Sequence, residues 1–233
     1  MPFVKNDGVR VHYEVEGPGE ALVIQHGFTS SIEAVRLLGY SDSLKDSYQV
    51  IDSIIKNTAL LIIDVQQGFD DSIWGRRNNP DAEANISSLI SLWRSEKRPI
   101  IHIQHCSVEP GSPLGPEQPG CQFQPEATPI EGEPVFKKTV NSAFIGTELE
   151  SYLKDNGIEY IVIVGLTTDH CVSTTTRMAG NLGFKVLLVS DATATFDRKG
   201  PDGKEYMAED IHAIHLASLN GEFCNVVTTE ALT

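Results

Sequence analysis

Short apolar runs alternate with longer amphipathic segments along most of the chain. The runs are nearly continuous in apolar residues, as expected of strands that are covered on both faces. They lie at 59–63, 99–103, 161–164, 186–189 and 224–227. Between them, apolar positions recur at spacings of three and four, which is typical of helices with one buried face. This alternation predicts an α/β fold with an open, mostly parallel sheet and helices on both faces.

Four helices are predicted between the strands. The first contains Ile86 and Trp93 and follows Asn79, a possible N-cap, and Pro80 at the first helical position. The second covers 146–156, and the third runs from Cys171 to near residue 183. The apolar positions of the fourth are Met207, Ile211 and Ile214.

Two regions depart from the alternating pattern. Residues 107–134 are rich in proline and glycine and have few apolar anchors, which is typical of a functional loop at a site. We expect a rim or lid over the site, which closes either its own site or that of a neighbouring subunit. Residues 9–16 alternate between apolar and polar side chains, which predicts a half-buried strand.

The N-terminal segment is expected to be a separate, non-catalytic appendage. Residues 21–28, which include His26 and Gly27, resemble the first strands and the His–Gly loop of α/β-hydrolases. A G-x-S-x-G nucleophile motif is absent from the sequence, so this loop has no serine to serve. The predicted organisation is therefore a β-rich appendage at 1–55 and one catalytic domain at 56–233.

Composition narrows the class of partner. The 233 residues carry a formal net charge of −14, which argues against nucleic acid and anionic membranes and favours a small-molecule substrate. Apolar stretches are too short for a membrane span, and the first residues lack the apolar core of a signal peptide. The four cysteines show no disulfide-framework spacing, so we expect a reduced, cytoplasmic protein.

The candidate chemistry centres on Cys171. The apolar run 160–166 breaks at Gly165 and leads to this cysteine at the start of a helical pattern. Unpaired amides at a helix N-terminus can hold an oxyanion and acidify a thiol. The alternative is a small buried hydrophobe, the commonest role of a lone cysteine.

Two charged residues at strand ends strengthen the catalytic interpretation. Asp64 follows the run 59–63, and Lys138 follows a short predicted strand at 135–137. Ligands of open α/β sheets bind beyond the carboxyl ends of the strands, where these side chains can converge. The neighbouring Lys137 is expected to face the opposite way, because adjacent strand residues alternate.

Four motifs together resemble the isochorismatase-like cysteine hydrolases. They are 61–66 with Phe69, 138–149, 165–172 and 191–193, and their order and spacing match over about 57–233. The resemblance implies an Asp64–Lys138–Cys171 triad, a cis peptide between Leu166 and Thr167, and an oxyanion hole formed by the amides of Thr167 and Cys171. It also implies a homodimer or larger homo-oligomer.

The pocket and the question of a metal rest on fewer signals. Phe69 occupies a family-like position after Asp64, and Trp74 and His105 are further candidates for the substrate pocket. His102 and His105 stand three apart on a predicted strand, so they face opposite sides and cannot easily share an ion. Metal-dependent nicotinamidases of this family carry an Asp-x-His motif with a further histidine, and the four motifs that match the family contain no such pattern. We therefore expect no metal and no cofactor.

The leading functional hypothesis is hydrolysis of a small-molecule amide or carbamoyl C–N bond through a thioester. Hydrolysis of a vinyl ether, as in isochorismatase itself, is an alternative that needs no thiol. A second alternative is a non-enzymatic ligand-binding domain or redox sensor. In a sensor, Cys106 or Cys121 could resolve an oxidised Cys171.

Overall fold

A computed structural model describes residues 3–6, 9–12 and 57–233, to which all structural statements refer. Strands β1 (Phe3–Asn6) and β2 (Val9–His12) form an antiparallel hairpin. The hairpin and the α/β domain belong to different units of the chain, and each is described by itself. The rest of the proposed appendage, including His26 and Gly27, lies outside the described residues.

The α/β domain is built on one six-stranded parallel sheet. In chain order its strands and two short additional ones are β3 (Thr58–Ile63), β4 (Ile100–His105), β5 (Val135–Lys138), β6 (Tyr160–Leu166), β7 (Lys185–Ala194), β8 (Arg198–Lys199), β9 (Glu205–Tyr206) and β10 (Asn225–Val227). The order in the main sheet is β10-β7-β6-β3-β4-β5, and every neighbouring pair is parallel. Strands β8 and β9 form a small antiparallel ladder. The predicted open parallel sheet is confirmed.

Helices cover both faces of this sheet. They are α1 (Ala82–Ser95), α2 (Leu149–Asp155), α3 (Ser173–Asn181) and α4 (Ala208–Leu219). Helix α1 packs on β3, β4, β6 and β7. The other three helices contribute to the hydrophobic core that contains Ala59, Leu61 and Ile63 of β3. None of the described helices combines the length and the apolar character needed to cross a membrane.

The predicted start of α1 is wrong by two residues. The helix begins at Ala82 and Asp81 is its N-cap residue. Asn79 instead has a positive φ of 43°. Its side-chain amide donates hydrogen bonds to the carbonyls of Ser190 and Thr193 on β7. The side chain of Asn79, which the local pattern predicted to cap the helix, therefore binds β7 instead.

Helix α4 is present as predicted, but its buried side differs from the prediction. Met207 and Ile214 are 47 % and 61 % exposed, whereas His212 is buried. The ring of His212 lies 2.8 Å from the hydroxyl of Thr168. A polar contact with the segment after β6 thus fixes the rotation of the helix.

The loop at 107–134 is tied to the strands through its middle and its end. The carbonyl of Cys121 accepts hydrogen bonds from the side-chain amides of Gln66 and Gln104, both at 2.9 Å. Near the end of the loop, Glu133 accepts from Arg94 of α1 at 2.8 Å and contacts His102 of β4 at 2.9 Å. The loop therefore packs along the β3–β4 side of the sheet.

Candidate active site

Four adjacent strands each bring a polar residue to the same edge of the sheet. Asp64 follows β3, His105 ends β4 and Lys138 ends β5. Strand β6 leads through Thr167 into a π-helical turn, Thr168–Val172, that contains Cys171. Because β6, β3, β4 and β5 are consecutive neighbours, these side chains meet beyond the carboxyl ends of the strands.

The ammonium of Lys138 is the centre of the cluster. Its Nζ atom lies 2.6 Å from Asp64 Oδ2, 3.0 Å from His105 Nδ1 and 3.3 Å from Cys171 Sγ. An ammonium has three hydrogen-bond donors, so these contacts use all of them. The side chains of Lys138 and Asp64 are completely buried. The neighbouring Lys137 is exposed, which confirms that it faces the other way.

Cys171 lies in an environment that keeps its thiol protonated. The residue is only 7 % exposed, and the regular helix α3 begins two residues later, at Ser173. Burial and the Asp64 carboxylate raise the pKa of the thiol, while Lys138 acts in the opposite direction. The expectation that a helix N-terminus acidifies this thiol is therefore wrong for the resting protein. A nucleophilic sulfur here needs a base to accept its proton.

Asp64 is placed to accept a proton. It has a positive φ of 50° at the end of β3, a conformation that is uncommon outside glycine. Oδ2 pairs with Lys138, whereas the buried Oδ1 accepts no hydrogen bond from any residue that the structure describes. One oxygen is thus fixed by the ammonium, and the other has unused acceptor capacity.

His105 contacts Lys138 and is held in place by its backbone. Burial and the charge of Lys138 lower the pKa of the ring, so Nδ1 of a neutral imidazole accepts a hydrogen bond from the ammonium. The side chain of Gln66 accepts from the His105 amide at 2.8 Å and donates to its carbonyl at 3.0 Å. The residue predicted for the substrate pocket is therefore also a neighbour of the central ammonium.

The segment between β6 and Cys171 turns sharply. The peptide bond between Leu166 and Thr167 is cis. The carbonyl of Thr167 accepts hydrogen bonds from the amides of His170 at 3.1 Å and Val172 at 3.2 Å. These contacts fold the turn back on Thr167 and fix the backbone around Cys171.

Asp169 anchors the same turn from its outer side. Its carboxylate accepts hydrogen bonds from Thr195 at 2.5 Å and Arg198 at 2.7 Å. Burial acts to raise the pKa of Asp169, but the hydrogen bonds from Arg198 and Thr195 outweigh it and hold the pKa well below its usual range. The turn that carries Cys171 is therefore tied by an ionised side chain to the segment after β7.

The aromatic residues predicted for the pocket lie together. The ring centroids of Phe69 and Trp74 are 5.3 Å apart, and Phe196 lies 6.1 Å from Phe69 and 5.8 Å from Trp74. Phe69 and Phe196 are buried, and the indole of Trp74 donates to the carbonyl of Gly68 at 2.8 Å. Trp74 is the most exposed of the three rings, and its contact with a substrate stays a prediction.

Several neighbours of the site were missed by sequence reasoning. Oδ1 of Asn141 lies 3.7 Å from Cys171 Sγ, and the Ala143 amide bonds to Thr175 of α3 at 3.1 Å. Gln66 and Asn141 lie inside the motifs 61–66 and 138–149. Their place in these motifs could have indicated that they are near the site. Phe196 had no comparable signal, because only the fold brings it to Phe69.

Comparisons with known proteins agree with this geometry. Residues 58–231 match the isochorismatase domain. The uncharacterized isochorismatase family protein YrdC of Bacillus subtilis is 51 % identical over 174 residues, which cover 75 % of this chain and 93 % of YrdC. A crystal structure from Chromobacterium violaceum, assigned to the same family, has 47 % identity and a TM-score of 0.73, and the match covers 75 % of this chain and 90 % of that one.

Two more distant relatives have named activities. The ureidoacrylate amidohydrolase RutB of Klebsiella pneumoniae is 30 % identical over 178 residues, 73 % of this chain and 70 % of RutB. A streptothricin hydrolase of Streptomyces noursei is 33 % identical over 142 residues, 60 % of this chain and 55 % of the relative. The family match begins at residue 58, so it gives no support to the suggested α/β-hydrolase likeness of the N-terminal segment.

Proposed function

The chain belongs to the isochorismatase family of hydrolases, and from that premise we propose that it is a cysteine-dependent hydrolase of a small-molecule amide or carbamoyl C–N bond. The observation that carries the proposal is the contact of one buried ammonium, Lys138, with both the Asp64 carboxylate and the Cys171 sulfur. An amidohydrolase among the relatives supports the choice of bond.

The first step is attack of the Cys171 sulfur on the substrate carbonyl carbon. The thiol proton passes to Asp64, whose Oδ1 has unused acceptor capacity. Transfer during attack is required because the thiol is protonated in the resting site. Negative charge moves in this step from the Asp64 carboxylate to the sulfur and the carbonyl oxygen. Lys138 stays in contact with Asp64 and Cys171 and compensates this charge throughout.

The tetrahedral intermediate then loses its amine. We assign the backbone amides of Thr167 and Cys171 as donors to the oxyanion, since the turn around Cys171 is fixed by its own hydrogen bonds. As the C–N bond breaks, Asp64 returns the proton to the leaving nitrogen. A thioester on Cys171 remains, and water attacks its carbonyl carbon with Asp64 accepting a proton. Breakage of the C–S bond then releases the acid, and Asp64 gives the proton it took from water to the sulfur, which restores both the thiol and the carboxylate.

A screen for ammonia or amine release tests this function. The purified full-length chain is assayed on a panel of small amides, ureides and carbamoyl compounds beside Cys171→Ala and Cys171→Ser. We expect both variants to lose about 10³-fold or more of kcat/KM. Cys224→Ala is the matched control, because Cys224 is also 7 % exposed and lies outside the cluster. Near-native turnover by Cys171→Ala would remove the mechanism.

Trapping the intermediate gives a second readout. Rapid acid quenching with a slow substrate is expected to show by mass spectrometry an acyl adduct on the peptide that contains Cys171. Vinyl-ether hydrolysis, the alternative reaction in this family, would proceed without an adduct and without loss in Cys171→Ala. The same two measurements therefore separate the two reactions.

The redox-sensor alternative is less favoured by the contacts of the thiols. Cys171 contacts Lys138 and Asn141, whereas the sulfurs of Cys106 and Cys121 lie 4.0 Å from each other. We further propose that the chain acts as a homodimer or larger homo-oligomer. Light scattering at assay concentration checks the assembly.

A further inference from the structure

The three groups around the Lys138 ammonium are the donor types that bind zinc. Asp64 offers a carboxylate oxygen, His105 an imidazole nitrogen and Cys171 a sulfur, and these atoms lie within 4.8 Å of one another. Zinc sites with three protein ligands and one open position use carboxylate, imidazole and thiolate groups. Bond lengths of about 2.0–2.3 Å place the ligand atoms of a tetrahedral site roughly 3.5 Å apart. A contraction of these separations by up to about 1.3 Å would complete the geometry.

The position that a metal ion would take is filled by the lysine. Nζ of Lys138 contacts one atom of each donor residue, at 2.6, 3.0 and 3.3 Å. Nδ1 of His105 faces the ammonium at 3.0 Å, and an imidazole nitrogen with a free lone pair is a metal ligand. The buried Oδ1 of Asp64, which accepts no hydrogen bond from the described residues, provides a further unused lone pair.

Charge balance also permits the exchange. The ammonium and the Asp64 carboxylate form a buried ion pair of zero net charge. A Zn²⁺ ion bound by that carboxylate and by the Cys171 thiolate is also neutral, provided that the thiol proton leaves to solvent and the ammonium leaves the cluster. Neutrality matters because an uncompensated charge in a buried site is costly.

We propose that Asp64, His105 and Cys171 form a zinc-type cation site whose cation in the native chain is the Lys138 ammonium, and that Zn²⁺ binds there only in competition with that ammonium. Soft and borderline ions fit this donor set, whereas Mg²⁺ prefers oxygen ligands. Inhibition of hydrolysis by Zn²⁺ follows if Cys171 is the nucleophile, so that consequence rests on the proposed function. The binding itself does not.

Removal of the lysine side chain tests the site directly. Full-length wild type and Lys138→Ala are titrated with Zn²⁺ against a chromophoric chelator, and with Co²⁺ as a spectroscopic probe of the ligands. We expect Lys138→Ala to bind one Zn²⁺ per chain at least about 100-fold more tightly than wild type. With Co²⁺ we expect a thiolate charge-transfer band in the near ultraviolet.

Matched variants identify the ligands. Adding His105→Ala or Cys171→Ser to Lys138→Ala should each weaken Zn²⁺ binding by about 10-fold or more. Lys137→Ala, which removes an exposed neighbouring lysine, should bind like wild type. Cys106→Ser in the Lys138→Ala background should change nothing and excludes a rival site at the Cys106–Cys121 sulfur pair.

Circular dichroism and thermal unfolding establish that Lys138→Ala is folded, and Lys138→Ser serves in its place if it is not. Equal Zn²⁺ affinity of wild type and the folded Lys138 variant would overturn the proposal. Tight binding that survives loss of both His105 and Cys171 would also overturn it. A chain with no hydrolytic activity but with the expected binding would reject the proposed function and leave the site intact.

Discussion

One side chain, that of Gln66, holds both backbone polar groups of His105. Oε1 of Gln66 accepts from the His105 amide at 2.8 Å, and Nε2 donates to the His105 carbonyl at 3.0 Å and to the Cys121 carbonyl at 2.9 Å. Gln66 is 1 % exposed. Asp64 lies two residues before Gln66 in the chain. Gln66 therefore fixes the end of β4 relative to Asp64, and its bond to Cys121 joins the end of β4 to the loop at 107–134.

Replacement of Gln66 tests whether its hydrogen bonds to His105 and Cys121 hold the end of β4 in place. Gln66→Leu should lower the free energy of unfolding by about 2–4 kcal/mol, because it removes the hydrogen bonds that the side chain makes to the amide and carbonyl of His105. We expect the proposed amidase activity to fall at least about tenfold, since His105 contacts the central ammonium. Denaturant unfolding and steady-state kinetics measure the two effects.

The adjacent Gln67 gives the matched control for Gln66. It is exposed, and its amide makes one exposed hydrogen bond, to Phe123 at 3.0 Å. Gln67→Leu should change the free energy of unfolding by no more than about 0.5 kcal/mol. Equal losses of unfolding free energy in Gln66→Leu and Gln67→Leu would mean that the buried hydrogen bonds of Gln66 do not stabilise the fold.

A second pair of neighbours isolates the buried ion pair. Lys138→Met leaves the Asp64 carboxylate buried without its cation, which should cost about 3–5 kcal/mol of unfolding free energy. Lys137→Met changes an exposed side chain and should cost no more than about 0.5 kcal/mol. Urea titrations of both variants at pH 7 compare them, and a loss below 1 kcal/mol for Lys138→Met would contradict the assigned pairing.

The sheet follows from the sequence to a large extent because buried parallel strands are legible locally. The apolar run at 59–63 predicts β3, and the rule that ligands bind at the carboxyl ends of strands predicts that Asp64 and Cys171 approach each other. The structure places Lys138 between them. Their catalytic roles stay predictions, which came from the motif resemblance rather than from spacing.

Contacts between distant segments could not be predicted in the same way. Ile214 looked like a core position, yet it is 61 % exposed, because the contact of His212 with Thr168 sets the rotation of α4. Asn79 looked like a cap, yet its amide serves β7. In both cases a polar tertiary partner, invisible to local periodicity, determined the outcome.

A buried thiol outside the cluster gives a pH dependence. Burial raises the pKa of Cys224 from 9.0 to about 12. Between these values the unfolded chain has lost the thiol proton and the folded chain has kept it, so stability falls as pH rises. The contribution is at most about 1.4 kcal/mol per pH unit. Urea unfolding from pH 8 to 10.5 should show a shallower decline for Cys224→Ala than for wild type, and parallel curves would refute the assignment.

Two glycines with positive φ separate backbone strain from close packing. At Gly165, with φ 117°, an added Cβ would lie 2.0 Å from the Ile63 carbonyl oxygen. At Gly157, with φ 65°, it would meet nothing within 4 Å. Gly157→Ala should cost about 1–2 kcal/mol from conformation alone. Gly165→Ala should cost at least about 4 kcal/mol or give no soluble protein, because β6 cannot then pair closely with β3. Thermal unfolding compares the stabilities of the two variants. Similar losses for Gly157→Ala and Gly165→Ala would contradict the close approach of Gly165 to Ile63.

The anchor of the Cys171 turn should control both stability and thiol reactivity. Asp169→Asn removes the charge that Arg198 and Thr195 satisfy, so we expect a loss of about 2–4 kcal/mol at pH 7. Because the pKa of Asp169 is held low, its charge stabilises the fold above the unfolded pKa of about 3.9, and this stabilisation is lost as pH falls through the lower native value. The difference between wild type and variant should therefore narrow below about pH 4.

Reactivity gives the second readout for this variant. Looser anchoring of the turn should expose Cys171, which is 7 % exposed in the native fold, and raise its alkylation rate by iodoacetamide several-fold while catalysis falls. Asp155→Asn, at an exposed position in the last turn of α2, is the charge-matched control and should change neither rate nor stability. If Asp169→Asn keeps native alkylation kinetics and a native unfolding curve from pH 3 to 7, then the carboxylate does not hold the turn, and the backbone hydrogen bonds to Thr167 suffice to place the sulfur.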